Sequence, residues 1–446
     1  MHNTPKLIAT ILCAACCLGV SAQEALPAWS EGTLDLHFIA TGRGDASMYV
    51  LPDGTRILCD AGDVGEAWKV AQPNPSMTPG EWIAKYIKDF SKDLPGKPDV
   101  VDYFYLTHYH GDHCGTKRIA RPGTHGYELG GVTMVGEQIH FNKIIDRQCE
   151  THSYPSKEYF SKCEQFIRES YFPFCEYQRD SCGTILENFK VGSRNQFKLV
   201  HNPKPYRKDF EIYNIAANGF ITTGKSGKVR PMSSEDPSKF DENMFSCVFL
   251  MKYGKFSFYN GGDIGGATRP ASRAKDRDFE REVADLIGGP VTMIKPDHHG
   301  WKESTNAYLL TKLCPQLIVV MCSQTQHPYI GAFLRMIDPL IYEGPRKIYF
   351  TTDGSRERLG RELGNILAEG KLNLTASNAE SKKLASELVS DQLAEAISEQ
   401  LWKHVNPEVG HIVVRVYPGG NSYQVFVLDA KEPGYKVLHK SEIVNL

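Results

Sequence analysis

Four side chains able to bind a metal, His108, His110, Asp112 and His113, stand within one short run, Leu106-Thr107-His108-Tyr109-His110-Gly111-Asp112-His113-Cys114-Gly115. Imidazole and carboxylate are ligands of zinc and similar divalent ions, and Gly111 and Gly115 let a turn bring all four together. The spacing H-x-H-x-D-H therefore reads as a metal-binding loop. The run before it, Val100 to Leu106, is apolar and reads as a buried strand, so the loop sits at a strand's end, where α/β architectures place chemistry.

Other candidates also follow apolar runs. Gln196 to Val200 reads as a short strand ending in His201. Phe245 to Met251 and Lys255 to Tyr259 read as a hairpin around Tyr253-Gly254, closed by Gly261-Gly262-Asp263, an acid among glycines where the backbone can approach a ligand. Val291 to Lys295 leads into Pro296-Asp297-His298-His299-Gly300. Taken singly, His201, Asp263 and the His298/His299 pair are each as readily structural as functional. Gly219-Phe220-Ile221-Thr222-Thr223-Gly224-Lys225-Ser226 matches a phosphate-loop pattern, but such a loop needs a helix directly after it. Gly227, Pro231 and Pro237 follow instead, so it reads as a turn between strands.

The elements that must position these groups are legible in outline. Leu34 to Ala40 reads as a strand, and Ala46 to Leu51 and Arg56 to Asp60 as a hairpin around Pro52-Asp53-Gly54. Thr78-Pro79-Gly80-Glu81 offers a helix cap, a first-turn proline and a capping-box acid ahead of Trp82, Ile83, Tyr86, Ile87 and Phe90 on one helical face. Residues 116–196 carry weak periodicity and read as an insertion, whose aromatic residues serve as its own small core rather than as a cleft lining. Arg356 to His404 reads as a mostly helical second insertion, within 356–408. The runs Gly410 to Val416 and Tyr423 to Leu428 read as a hairpin completing the sheet. One domain over 23–446 with two insertions is preferred to two domains.

Lys6 followed by an apolar stretch to Val20, with Val20-Ser21-Ala22 after it, reads as a signal peptide over 1–22. The stretch is short for a membrane span, so export to the periplasm or medium without an anchor is expected, with lipidation at Cys16 the weaker reading. Of the 12 cysteines, Cys13, Cys16 and Cys17 lie in that leader. Cys59, Cys247 and Cys322 read as buried small apolar residues, while Cys149, Cys163, Cys175 and Cys182 cluster where an exported protein could form a disulfide. The net charge of −2 shows no basic excess, so nucleic acid is not indicated by charge as a partner.

Together Thr107 to Gly115, His201, Gly262-Asp263 and His298-His299 resemble the metallo-β-lactamase superfamily, in the order of its metal ligands. Gly42 to Ala46, Leu51 to Gly54, Cys59 to Gly62, His298 to Gly300, His327-Pro328 and Thr352 to Gly354 resemble more closely the soluble domain of ComEC-type DNA-uptake proteins. The resemblance implies an α/β fold, an αββα four-layer sandwich, with a two-metal site at one edge. By it His108, His110 and His201 bind the first ion, and Asp112, His113 and one of His298 or His299 the second. Asp263 bridges and Asp60 orients the loop. His298 is set down as the ligand, with His299 as its catalytic neighbour beside Asp112 and Asp263. Thr41-Gly42-Arg43-Gly44-Asp45 departs from the branch's usual Gly-Gln-Gly-Asp.

Two ions about 3.5–4 Å apart lower the pKa of a shared water and clamp attacking and leaving oxygens. The absence of cysteine from the ligand set makes the site hard, suited to zinc with manganese or iron as alternatives. Hydrolysis of small or end-on phosphoesters by a bridging hydroxide is the expectation. A nuclease, a thioester, lactone or β-lactam hydrolase, and a non-enzymatic metal-binding protein are the alternatives.

Overall fold

The computed structural model describes residues 25–42, 44–63, 73–117, 121–225, 227–267, 277–321, 327–352, 358–362, 399 and 402–446. The stretch 1–22 read as a signal peptide, Cys322, Asp353-Gly354 and most of the stretch read as a second insertion lie outside them.

Apolar alternation along the strands builds two sheets and decides which faces meet. The first sheet runs, in spatial order, Ile185–Asn188, Lys143–Asp146, Tyr103–Tyr105, Arg56–Ala61, Ala46–Val50, Leu34–Phe38, His411–Val416, Ser422–Leu428 and Val437–Lys440. The second runs Val229–Pro231, Phe220–Thr222, Phe210–Ala217, Val248–Tyr253, Phe256–Asn260, Met293–Lys295, Leu317–Val320 and Lys347–Phe350. Successive side chains point to opposite faces. Leu36, Phe38, Tyr49, Ile57 and Tyr105 of the first sheet therefore meet Phe249, Met251, Phe258, Met293 and Val319 of the second in a shared core.

The alternate residues face outward and need helices to cover them. Met48, Val50, Leu58, Phe104 and Ile144 pack under Ile83, Tyr86 and Ile87 of the helix Pro79–Phe90 and under Val132, Val135 and Phe174. That helix starts with the expected capping box, in which Thr78 and Glu81 each bond the other's backbone N–H. On the far side Leu250, Ile294, Ile318 and Ile348 pack under the helices Phe279–Ile287, Ala307–Leu313 and Ile330–Ile337. The layers are thus helix, sheet, sheet, helix, the αββα sandwich expected. Among the described residues no helix is long and apolar enough to cross a membrane.

Several local readings change. The strand at 100–106 is split, because Asp102 turns its carboxylate to accept from Arg56 N–H at 2.9 Å, and only Tyr103–Tyr105 joins the main sheet. The stretch 116–196 is partly built into the sheet: Lys143–Asp146 pairs with Tyr103–Tyr105 and Ile185–Asn188 adds outside it, both in parallel. Gln196 to Val200 is irregular chain, not a strand, with Phe197 buried against Tyr103. The phosphate-loop look-alike is a hairpin, Phe220–Thr222 paired with Val229–Pro231. The expected disulfide is absent: Cys149, Cys163, Cys175 and Cys182 are free thiols. Cys149 donates to the Glu187 carbonyl at 3.1 Å, and Cys175 is buried among the aromatic residues under the first sheet.

Candidate metal centre

Strand ends from both sheets deliver side chains to one edge of the sandwich. Arg56–Ala61 ends with Asp60, Tyr103–Tyr105 runs into Thr107 to His113, Phe256–Asn260 into Asp263, and Met293–Lys295 into His298-His299. Gly62 allows the close approach this requires, since a Cβ there would lie 1.8 Å from the Asp112 carbonyl. The same carbonyl accepts from Asp45 N–H at 2.7 Å, which ties the segment Thr41 to Asp45 to the metal loop.

At the centre, His299 Nε2 lies 3.1 Å from Asp112 Oδ2 and 3.2 Å from Asp263 Oδ2. His113 Nε2 lies 3.2 Å from the same Asp263 oxygen and 3.3 Å from His299 Nε2. Asp112, His113, Asp263 and His299 thus offer ligand atoms all within 4.8 Å of one another. His108 Nε2 stands 3.1 Å from His110 Nδ1 and 3.9 Å from Asp263 Oδ2. Asp263 is shared between the two groupings. Asp263 Oδ1 is buried without a hydrogen-bond partner, and two pairs of imidazole nitrogens, His108 Nε2 with His110 Nδ1 and His113 Nε2 with His299 Nε2, point into the same space. A shared cation satisfies all of these groups, so the donor set fits divalent metal.

A second layer fixes the donors. Asp60 Oδ2 sits 2.8 Å from His113 Nδ1, while Asp60 Oδ1 accepts from Thr107 N–H at 2.8 Å, leaving His113 Nε2 to face the cage. His299 Nδ1 lies 3.2 Å from both the Met321 carbonyl and Asp45 Oδ1. Lys295, buried, holds Asp45 Oδ2 at 2.8 Å and stands 3.8 Å from Asp263 Oδ1. Burial alone would raise the Asp263 carboxyl and lower the His113 and His299 rings; their mutual attraction wins in all three, leaving the acid well below and the rings well above their usual ranges. Burial keeps His108 neutral, with His113 adding to the effect.

Beneath the loop, Tyr109 N–H donates to Glu242 Oε1 at 3.0 Å, and Arg147 grips both oxygens of that carboxylate at 2.7 and 2.9 Å. The Arg147 guanidinium lies over the Tyr109 ring, 4.5 Å from its centroid. This pairing spans 95 residues of sequence and no local spacing announces it.

Two assignments from sequence are corrected. His201 does not reach the cluster. Its backbone N–H donates to Asp53 Oδ2 at 2.9 Å and its ring faces Asp102 Oδ2 at 3.5 Å, beside Gly96. Asp53 lies at the Arg56 end of the strand Arg56–Ala61, whereas Asp60 lies at the other, a separation of about 13 Å at ~3.3 Å per residue. His201→Ala is therefore expected to keep wild-type metal content and turnover, checked by elemental analysis and kinetics. Of the adjacent pair, His299 enters the cluster. His298 turns away to Asn243, its Nε2 3.4 Å from the amide nitrogen, because both residues adopt left-handed backbone, φ 47° and 52°. Sequence reasoning missed Asp45, Lys295, Arg147 and Glu242; the Gly44-Asp45 pair was the one available signal, standing where the branch carries Gly-Asp.

No family model and no curated protein matches this sequence. Among solved structures, the CmlA β-hydroxylase is similar at 11% identity and TM-score 0.37 over 72% of this chain, which spans 52% of the CmlA chain. The metallo-β-lactamase fold protein YhfI from Bacillus subtilis is similar at 9% identity and TM-score 0.31, over 71% of this chain and 96% of that one. Zinc-bound PqqB from Methylobacterium extorquens is similar at 10% identity and TM-score 0.34, over 74% and 95%.

Proposed function

From a metallo-β-lactamase fold with its layers and its edge cluster in place, we propose that this chain is an exported, binuclear metal-dependent hydrolase acting on phosphoesters. One observation carries the reading. Four carboxylates, Asp45, Asp60, Asp112 and Asp263, converge with His108, His113 and His299 against one buried ammonium among the described residues, Lys295. Once metal displaces the protons that His113 and His299 otherwise hold, the four acids outnumber the lysine by three charges, a surplus that one divalent ion leaves negative and two overcome.

In this reading Asp112, His113 and His299 hold one ion, His108 and His110 the other, and Asp263 both. The donors are nitrogen and oxygen throughout, which suits zinc, manganese or iron(II). When bound, two such ions acidify a water and stabilise negative charge on the reacting centre. The chain's own part is to hold the donors and leave an entrance. Asp60 sets the His113 ring, Asp45 and Lys295 set His299 and Asp263, and the Asp112 side chain keeps 23% of its surface exposed on the side where His110 and His298 are also half-open. An anionic ester that gains charge in its transition state uses that field most fully.

A net charge of −2 supports small or end-on phosphoesters over long duplex DNA, which calls for a basic track. The likeness of the motifs to ComEC-type domains keeps a nuclease as the second reading. Metal-loaded protein is to be given bis(4-nitrophenyl) phosphate, single-stranded DNA, duplex DNA, a thioester, a lactone and a cephalosporin reporter. Metal-dependent turnover of the small diester is expected. Cleavage of the long polymers alone would transfer the assignment to a nuclease, and turnover of the cephalosporin, lactone or thioester alone would end the phosphoester reading.

A further inference from the structure

The open side of the cage carries polar groups that nothing among the described residues satisfies. Asn243 Oδ1 and His327 Nδ1 are buried atoms without a hydrogen bond. A buried polar atom left without a hydrogen bond is destabilising, so a ligand that pairs with it is favoured. His298 links the two: its Nε2 is 3.4 Å from Asn243 Nδ2, and its ring centroid is 5.9 Å from that of His327. His327 in turn stacks on the cage residue His299, centroids 4.9 Å apart and planes 29° from parallel.

The amide of Asn243 has two ends of equal shape. Turned over, its oxygen accepts from His298 Nε2–H and both amide hydrogens are left free. His298 takes this position through a left-handed backbone, φ 47° and ψ 45°, a conformation that is strained for a residue other than glycine. Its backbone N–H is anchored on the Gly262 carbonyl at 3.2 Å, beside Asp263. At the rim, Trp301 lies 5.3 Å from the His327 ring and Lys302 places its ammonium 5.5 Å from the Trp301 ring, a cation at the entrance.

We propose that Asn243 and His327, with His298 setting the Asn243 amide, form a hydrogen-bonding wall that holds the oxygens of a tetrahedral oxyanion, a phosphoryl group or free phosphate, against the metal cage. The wall presents donors and no carboxylate, so it complements a phosphoryl oxygen, and it lies next to His299 on the side where the cage is open. This rests on the phosphoester reading and adds to it the residues that select the substrate.

Inorganic phosphate is the probe, titrated into metal-loaded full-length protein by calorimetry and used as an inhibitor of bis(4-nitrophenyl) phosphate turnover. Asn243→Ala and His327→Gln are each expected to weaken phosphate by at least about tenfold, and to raise KM more than they lower kcat, with the metal content of wild type. Asn243→Asp keeps the residue's shape and sets a charge against the anion, and is expected to abolish phosphate binding. Wild-type affinity for phosphate in the variants would overturn the wall, as would a metal-loaded wild type that binds no phosphate. Failure of the wall alone leaves diester turnover by wild type intact, whereas a phosphoester reading that is wrong shows no such turnover at all.

Discussion

Asp263→Asn is expected to lower turnover by about a hundred- to a thousandfold and to strip at least one ion, while the protein stays folded. Asp263 presents Oδ2 to His113 and His299, each at 3.2 Å, and Oδ1 towards Lys295 at 3.8 Å. An asparagine fits the same volume. Its NH₂ group, however, must face either the imidazole nitrogens that share the site or the lysine ammonium, and neither direction accepts a donor in the presence of cations. Far-ultraviolet circular dichroism, elemental analysis and steady-state kinetics on one preparation check the three parts. A variant with the metal content and rate of wild type would remove Asp263 from the centre of the site.

The largest effect on stability is expected at Arg147→Met, a loss of about 3–5 kcal/mol. The guanidinium is fully buried and bonds Glu242, the Tyr154 carbonyl at 3.2 Å and Asn218 Oδ1 at 3.1 Å. Without it the Glu242 carboxylate is left in the interior as an uncompensated charge, still holding Tyr109 N–H and the Tyr159 hydroxyl. Because Tyr109 lies between His108 and His110, metal affinity is expected to fall with stability. Adding Glu242→Gln to the variant removes the stranded charge and is expected to restore part of the loss. Urea unfolding of the metal-loaded proteins measures both. A double variant no more stable than Arg147→Met would contradict this origin.

The metal loop was legible because its four donors lie in one turn, and local spacing is what a sequence displays best. Asp263 was legible as an acid among glycines at a strand's end, and Asp60 only through the family resemblance. The strands followed from alternation at 34–61 and 411–428 and the first helix from the capping box at Thr78, whereas the four-layer arrangement was what the resemblance implied. His201 misled because it too follows an apolar run; its place is set by Asp53, 148 residues away, through a bond that leaves no trace in local pattern. The choice between His298 and His299 depended on two successive left-handed residues, a conformation their side chains do not advertise. The link between Lys295 and Asp45 spans 250 residues, and the strand Lys143–Asp146 is too short to outweigh the turn-rich sequence around it. The clustered cysteines suggested a disulfide by proximity in sequence, but the fold leaves all four as free thiols.

Anomalous X-ray diffraction at the zinc edge, on crystals of the zinc-loaded protein, tests the central claim most directly. The account predicts two peaks on either side of Asp263, one among Asp112, His113 and His299 and the other at His108 and His110, with none at His201. A single peak, no peak, or density at His201 in catalytically active protein would contradict it.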